Sequence, residues 1–197
     1  MLPSEKAFSL MELLIIIAIL AILMAVGFPN LFPLKGRAKL QADWSQVVDH
    51  LSMYRARAMN SGKIYSTCPT VSGNTTTIRA YFNPGGCACS GGQWSTDQGE
   101  TVILEDVVLS QCGNIGQNCT PVPANPTGTP ICFYGDGSAG WSSGGTGIIE
   151  LRSGKSDCST PSAAACYGQY AAQIHVATGF FDKFQLNPAG AWIEMTQ

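Results

Sequence analysis

The chain has 197 residues, of which 45% are hydrophobic and 12% are charged, and its formal net charge is −2. So small a net charge excludes a strong positive field that would draw nucleic acid or an acidic membrane surface to the whole molecule. The length allows one soluble domain with its own core, but two domains would be cramped.

The first element is an apolar run from Phe8 to Phe28, in which Glu12 is the only ionisable side chain. As a helix the run is about 31 Å long, which is enough to cross a bilayer. A charged side chain inside hydrocarbon costs roughly 2.5 to 3.5 kcal/mol, so Glu12 needs a partner. The run is too long for the apolar part of a secretory signal, and no A-x-A cleavage site closes it. The sequence therefore predicts a retained transmembrane helix.

Residues 1–7 form a short polar segment ahead of this run. A charged leader, a small residue, the sequence Phe-Ser-Leu-Met-Glu-Leu-Leu at 8–14, and an aliphatic helix followed by Pro29 resemble the class III signal of type IV pilins and pseudopilins. The resemblance implies that a prepilin peptidase cuts between Ala7 and Phe8 and methylates the new amino group of Phe8. The chain departs from the family at Ala7, where glycine is usual.

The resemblance also implies a role for Glu12 in assembly. After cleavage Phe8 carries an ammonium group, and a helix packed alongside with an axial offset can bring that cation to Glu12. The pair would cancel the charge in the membrane or filament core. The alternative is an ordinary signal anchor in which the Glu12 side chain reaches the membrane interface.

The charges around the apolar run disagree with the orientation that the resemblance implies. Lys6 lies before the run, whereas Lys35, Arg37 and Lys39 lie after it, so the positive-inside rule favours an external N-terminus. The peptidase must meet the leader in the cytoplasm. We therefore expect an inner-membrane protein with a cytoplasmic N-terminus and a periplasmic head, which later enters a pilus or pseudopilus.

Residues 29–62 predict an amphipathic continuation of the helix. Pro29 and Pro33 predict helix kinks, and apolar residues then recur at spacings of three and four as far as about Asn60. Ser61-Gly62 is typical of a C-terminal cap. The apolar stripe, interpreted as core, comprises Leu40, Trp44, Val47, Val48, Leu51, Tyr54 and Ala58, whereas Lys39, Asp43, Arg55 and Arg57 are placed on other faces.

Residues 63–197 predict a β-rich globular head, because β-branched and aromatic runs alternate with Gly, Pro, Asn and Ser. A helix followed by strands favours an α+β fold, with an antiparallel sheet on the second half of the helix. Asn83–Gln98 and Cys112–Pro130 are interpreted as long, turn-rich loops. The predicted strands are 63–67, 75–82, 101–109, 131–134, 147–151, 173–176, 180–186 and 192–195.

All eight cysteines follow the apolar run, which favours an oxidising periplasm or cell surface. Their spacing suggests two local disulfides, Cys112 to Cys119 and Cys158 to Cys166. The other four can pair in three ways, although a bond within Cys87-Ala88-Cys89 would be strained. These four are Cys68, Cys87, Cys89 and Cys132.

The sequence contains no constellation that predicts catalysis, a metal or a cofactor. No C-x-x-C occurs, and His50 and His175 lie far from the cysteine clusters. Residues 136–140 resemble a nucleophile elbow but lack its first glycine, so we interpret them as a glycine-rich turn. Glu105-Asp106 is interpreted as a solvent-facing edge or bulge pair. We therefore predict a protein that is not an enzyme.

The head resembles the H-type pseudopilins and the FimT/FimU-like minor pilins. The residues that carry this resemblance are 54–62, 133–137, 147–151 and 174–179. It implies a two-sheet β domain on a long helix. It also implies a minor structural subunit, with other pilins or pseudopilins as partners, that takes part in assembly or priming of a type IV pilus or a type II secretion pseudopilus.

DNA is the other candidate partner that the resemblance introduces. In some FimT-like minor pilins of competence pili, basic residues just after the glycine that here is Gly179 are associated with DNA uptake. This chain has Phe180-Phe181-Asp182-Lys183 there, and a DNA contact needs several cations. We interpret Arg55 and Arg57 as a solvated helix face and the two phenylalanines as core or subunit-contact residues. A competence or adhesion pilin that binds DNA or a surface ligand remains the alternative.

Overall fold

The structure, a computed structural model, describes residues 10–82, 86–89, 93–94, 101–115, 117–121, 130–141, 147–153, 169–187 and 189–195. The predicted leader and its cleavage site between Ala7 and Phe8 lie outside these residues. The chain forms two compact units, Met1–Ala38 and Lys39–Gln197.

Helix α1 extends over Leu10–Ser61, a length of 52 residues. Its backbone is helical at both Pro29 and Pro33, and the predicted kinks at these residues stay a prediction. In the part of the chain that the structure describes, no helical stretch is both long and apolar enough to cross a membrane. The predicted span over 8–28 also includes residues 8–9 and the side chains of 25–28, which lie outside the described part, and it stays a prediction.

The second half of α1 is packed into the core of the head. All seven residues of the predicted apolar stripe are at most 5% exposed, and this prediction is confirmed. The placement of Asp43 on another face is wrong, because this residue is only 8% exposed. Asp43 lies three residues after Leu40 and four before Val47, so its position in the helix puts it on the buried stripe despite its charge.

The head contains two antiparallel sheets, so the α+β fold and the two-sheet arrangement are confirmed. The strands are β1 Tyr65–Ser72, β2 Thr75–Phe82, β3 Gln93–Trp94, β4 Val102–Glu105, β5 Val107–Asn114, β6 Gln117–Pro121, β7 Ile131–Phe133, β8 Ala139–Trp141, β9 Ile148–Ser153, β10 Gln169–Ile174, β11 Phe181–Leu186 and β12 Trp192–Glu194. Among the described residues, sheet A has the order β3-β2-β1-β7-β8 with β4 also paired to β2, and sheet B has the order β12-β11-β10-β9-β5-β6.

A single core joins the helix to both sheets. Tyr54 of α1, Phe133 of β7 and Ile149 of β9 are fully buried members of the same cluster. Each residue comes from a different element, so the helix stripe covers the inner faces of both sheets. Burial of this apolar surface is the main term that holds the head together.

The predicted strand 101–109 is two strands, one in each sheet. The chain turns at Asp106, whose φ is 59°, and passes from β4 to β5. Asp tolerates this left-handed conformation better than a β-branched residue does. Glu105 and Asp106 are both exposed, as predicted. Glu105 ends β4, which pairs only with β2 among the described strands and is an edge strand, and Asp106 marks the change of sheet.

Other strand boundaries also differ from the prediction. Strand β10 begins at Gln169, ahead of the predicted strand 173–176. It includes Ala171 and Ala172, which are completely buried in the middle of sheet B, where small residues fit. The predicted loop 112–130 contains the end of β5 and all of β6, which pair with each other. The predicted glycine-rich turn at 136–140 ends in β8, which pairs with β7.

Candidate functional site

Glu12 lies in the first turn of α1, on the part of the helix where every described side chain is exposed. The large apolar side chains from Leu10 to Met24 are between 45% and 81% exposed. A soluble monomer rarely leaves so many apolar side chains uncovered, so this surface is suited to cover by lipid or by other subunits. A carboxylate at the start of a helix is favoured by the helix dipole.

Arg55 connects the C-terminal end of α1 to the turn between β10 and β11. Its Nε donates a hydrogen bond to the carbonyl oxygen of Thr178 at 2.9 Å. Its Cζ lies 4.3 Å from the centroid of the Phe180 ring, which is a cation–π arrangement. The interpretation of Arg55 as part of a solvated helix face is therefore wrong, because its guanidinium is engaged in tertiary contacts.

Arg57 is also not simply solvated. The residue is half-buried, and its Cζ lies 5.0 Å from the centroid of the Tyr54 ring. A cation held over an aromatic ring contributes packing as well as charge. Arg55 therefore attaches the helix end to the β10–β11 turn, whereas the aromatic contact of Arg57 lies within α1.

Two glycines allow this region to pack closely. Gly179 has φ 63°, and a Cβ there would lie 2.6 Å from the carbonyl oxygen of Gly137. Gly137 has φ 85° and itself packs against the side chain of Met59. Both residues belong to the segments that carry the resemblance of the head, and the fold brings those segments together at the end of α1.

The two phenylalanines after Gly179 have different environments. Phe180 is 60% exposed beneath Arg55, whereas Phe181 packs on the core, 6.2 Å from Phe133 between ring centroids. The sequence interpretation left both residues as core or subunit contact. Phe181 therefore packs on the core, and Phe180 is a surface aromatic residue.

Few cations are available for DNA around this turn. Oδ2 of Asp182 and Nε2 of His175 lie 2.5 Å apart in a hydrogen bond, so this carboxylate is engaged next to the turn. Lys183 is the only lysine or arginine among residues 175–183. With Arg55, which contacts Thr178 and Phe180, the turn has two cations, and two cations release few counterions from DNA. These contacts give no specific support to DNA binding, which stays an untested alternative.

Two disulfides fix residues 86–89 to sheet A. Cys89 is bonded to Cys68 of β1, and Cys87 is bonded to Cys132 of β7. Cys68, Cys89 and Tyr81 form a second small buried cluster. The sequence left the pairing of these four cysteines open, and the structure selects the pairing that joins neighbouring strands through one tripeptide.

The remaining cysteines are described only in part. Cys112 is disulfide-bonded, and the register of β5 and β6 places it opposite Cys119. The side chain of Cys119, and both Cys158 and Cys166, lie outside the described residues. The predicted pairs 112–119 and 158–166 therefore stay predictions.

The sequence analysis missed a groove between helix α1 and strand β4. This α1–β4 groove has a volume of about 670 Å³ and is lined by Gln46, Asp49, His50 and Met53 of the helix and by residues 101–103. His50 is 4% exposed, and neither of its ring nitrogens has a hydrogen-bond partner among the described residues. Burial, with a smaller contribution from the charge of Arg57, lowers the pKa of His50 to about 4. The imidazole is consequently neutral at pH 7.

The described residues do not form a recognisable catalytic or metal site. The hydroxyl of Ser138 donates to Asp136 at 2.6 Å within a turn, and His175 is paired with Asp182 and not with a nucleophile. Within the described part of the chain, no group of three His, Cys, Asp or Glu side chains is placed to hold a metal ion. These polar contacts close turns of the fold.

The comparisons with known proteins concern the N-terminal segment. No curated protein and no solved structure matches the chain. Residues 2–28, which contain Ala7, Phe8 and Glu12, match the family model described as the prokaryotic N-terminal methylation motif. The chain thus carries the N-terminal methylation motif that is typical of type IV pilins and pseudopilins.

Proposed function

We propose that the protein is a minor, type IV pilin-like structural subunit of the pseudopilin kind. Prepilin peptidase cuts the chain between Ala7 and Phe8 and methylates Phe8. Residues 8–28 hold the protein in the inner membrane, with the N-terminus in the cytoplasm and the head in the periplasm. The subunit then takes part in assembly or priming of a type IV pilus or a type II secretion pseudopilus.

The observation that carries this proposal is the position of Glu12 within the methylation motif. Glu12 is the only ionisable side chain between Phe8 and Phe28, and the described apolar side chains around it are exposed. A lone carboxylate in an apolar environment requires a cation. The amino group released at Phe8 of a neighbouring subunit supplies that cation in a packed filament.

The head supports the proposal through its disulfides and its surface. Structural disulfides such as Cys68–Cys89 and Cys87–Cys132 persist in oxidising compartments, which agrees with a periplasmic or surface location. Phe180 and Val176 are exposed apolar side chains of one turn and suit contact with another subunit.

Mass spectrometry of the mature N-terminus tests the processing step. In cells that contain prepilin peptidase we expect a chain that begins at Phe8 with one added methyl group. In cells that lack the peptidase we expect the chain to begin at Met1. An intact Met1 in the presence of active peptidase would contradict the proposal.

Filament incorporation tests the role of Glu12. Glu12→Ala should remain in the membrane fraction but be lost from sheared filaments, because the amino group of Phe8 then lacks its counter-charge. Glu12→Asp should restore part of the incorporation, and Leu13→Ala, at the next exposed position of the helix, is the matched control. Normal incorporation of Glu12→Ala would refute the pairing.

A further inference from the structure

The α1–β4 groove has apolar and polar lining residues, and Asp49 is the acidic one among them. Met53 is half-buried, and Ile103 is 61% exposed although it lies within a strand. Asp49 is exposed and makes no ion pair with any described residue. The apolar surface is thus accompanied by a carboxylate whose charge is not neutralised.

The groove has an uncharged imidazole in its wall. His50 lines it and is neutral at pH 7, since its pKa is about 4.

The strand side of the groove is an open sheet edge. Among the described strands, β4 pairs with β2 alone. Glu105 and Asp106 follow at the end of this strand, and the nearby Lys39 is already held, because its Nζ donates to the carbonyl oxygen of Glu105 at 2.7 Å and lies 3.9 Å from Asp106 Oδ2. Lys39 is therefore engaged at the end of β4, and Asp49 is the acidic residue that lines the groove.

A groove that offers the apolar side chains of Met53 and Ile103 beside the exposed carboxylate of Asp49 matches the chemistry of a lysine or arginine side chain, which has an aliphatic stem and a cationic head. On the basis of the proposed function, we propose that the α1–β4 groove docks a neighbouring filament subunit, which inserts a lysine or arginine side chain. Met53 and Ile103 contact the aliphatic stem, and Asp49 pairs with the cation. The open shape of the groove suits a side chain that is presented by another protein surface.

Photocrosslinking in the full-length protein tests this docking. Gln46, an exposed groove residue, is replaced by the photoreactive amino acid benzoylphenylalanine, and assembled filaments are irradiated. The expected product is an adduct with a filament subunit, and tandem mass spectrometry should locate the adduct next to a surface lysine or arginine. The same amino acid at Ser52, exposed on the same helix but not lining the groove, is the matched control and should give no such adduct.

The charge of Asp49 provides the second measurement. Asp49→Asn should lower the yield of the Gln46 adduct about threefold, as expected for loss of an exposed ion pair. Asp49→Lys should lower it about tenfold, because it adds repulsion between like charges. Glu194→Lys, an exposed charge reversal on β12 of the other sheet, should leave the yield unchanged.

The outcomes separate the docking from the proposed function. Absence of the wild-type protein from sheared filaments would overturn the proposed function. Normal incorporation with no subunit adduct at position 46, an adduct only with a protein that is not a filament subunit, or an adduct insensitive to Asp49→Lys would overturn the docking alone.

Discussion

The guanidinium of Arg55 covers the ring of Phe180, with 4.3 Å between Cζ and the ring centroid. The helix and the β10–β11 turn are 125 residues apart in sequence at these two positions (180 − 55). The contact therefore closes a long stretch of chain at the end of α1. It also keeps an aromatic ring at the surface in a fixed position.

Removal of the Arg55 side chain should lower the stability of the head. Arg55→Ala loses the hydrogen bond to Thr178 and the cation–π contact with Phe180, and we expect a decrease of about 1 to 2 kcal/mol in the free energy of unfolding. Urea denaturation of the full chain in detergent, with the disulfides intact, measures this change. Ser52→Ala, exposed on the same helix, should change the stability by less than about 0.5 kcal/mol. Equal effects of the two substitutions would contradict a role for Arg55 in attachment.

Gly179 and Gly73 make a matched pair of glycine substitutions. Both have left-handed φ values, 63° and 60°. A Cβ at Gly179 would lie 2.6 Å from the Gly137 carbonyl oxygen, whereas a Cβ at Gly73 would point into open space with no tertiary neighbour among the described residues within 4 Å. Gly73→Ala should cost about 1 kcal/mol from backbone strain alone. Gly179→Ala should cost more than Gly73→Ala, since the clash adds to the strain. Calorimetric unfolding of both variants compares them, and a smaller cost at Gly179 would refute the close packing.

The buried His50 should make stability depend on pH. Its pKa is about 4 in the folded protein and 6.5 in the reference state. Between these two pH values the unfolded chain consequently binds more protons than the folded protein. The contribution of neutral His50 to the free energy of unfolding is therefore complete above pH 6.5 and is lost as the pH falls towards 4. The loss attributable to His50 is about 3 kcal/mol. Free energies of unfolding at several pH values should show a smaller decrease for His50→Leu than for the wild type.

The buried Glu150 should give stability a pH dependence of the opposite sign to that of His50. Burial raises its pKa, so its contribution is present at low pH and is lost as the pH rises through the folded-state value. Compared with the wild type, Glu150→Gln should therefore increase the free energy of unfolding more at neutral pH than at pH 4. An unchanged pH profile in this variant would contradict the cost of ionising the buried carboxyl group. The same denaturation series measures both substitutions.

The two disulfides should contribute to stability in a coupled way. Their sequence separations are 21 for Cys68–Cys89 and 45 for Cys87–Cys132. Loop-closure entropy predicts losses of about 3 and about 4 kcal/mol when each pair is replaced by serine alone. Because Cys87 and Cys89 belong to one tripeptide, either bond already holds this segment on sheet A. The loss in the quadruple variant should therefore exceed the sum of the two single-pair losses, because only that variant releases the segment, and strict additivity in urea denaturation would refute the coupling.

Local sequence was sufficient for the helix and for part of the candidate site. The spacing of Leu40, Val47 and Tyr54 identified the buried stripe, and Ser61-Gly62 identified the end of α1, where Gly62 has φ 66°. The methylation motif over residues 2–28 was found in the same way, because it is contiguous. Each of these features depends on residues that lie within a few turns of one another.

Only the tertiary structure decided which distant segments meet. Asp106 turns the chain from one sheet to the other, Cys87 and Cys89 bond to different strands, and Arg55 reaches Phe180. Strand order and cysteine pairing depend on the packing of elements far apart in sequence, and periodicity carries no information about those distances. The sequence by itself therefore determined the helix, the β-rich head and the processing motif. The packing of the two sheets around that helix decided the pairing of the cysteines, the contact between Arg55 and Phe180, and the α1–β4 groove.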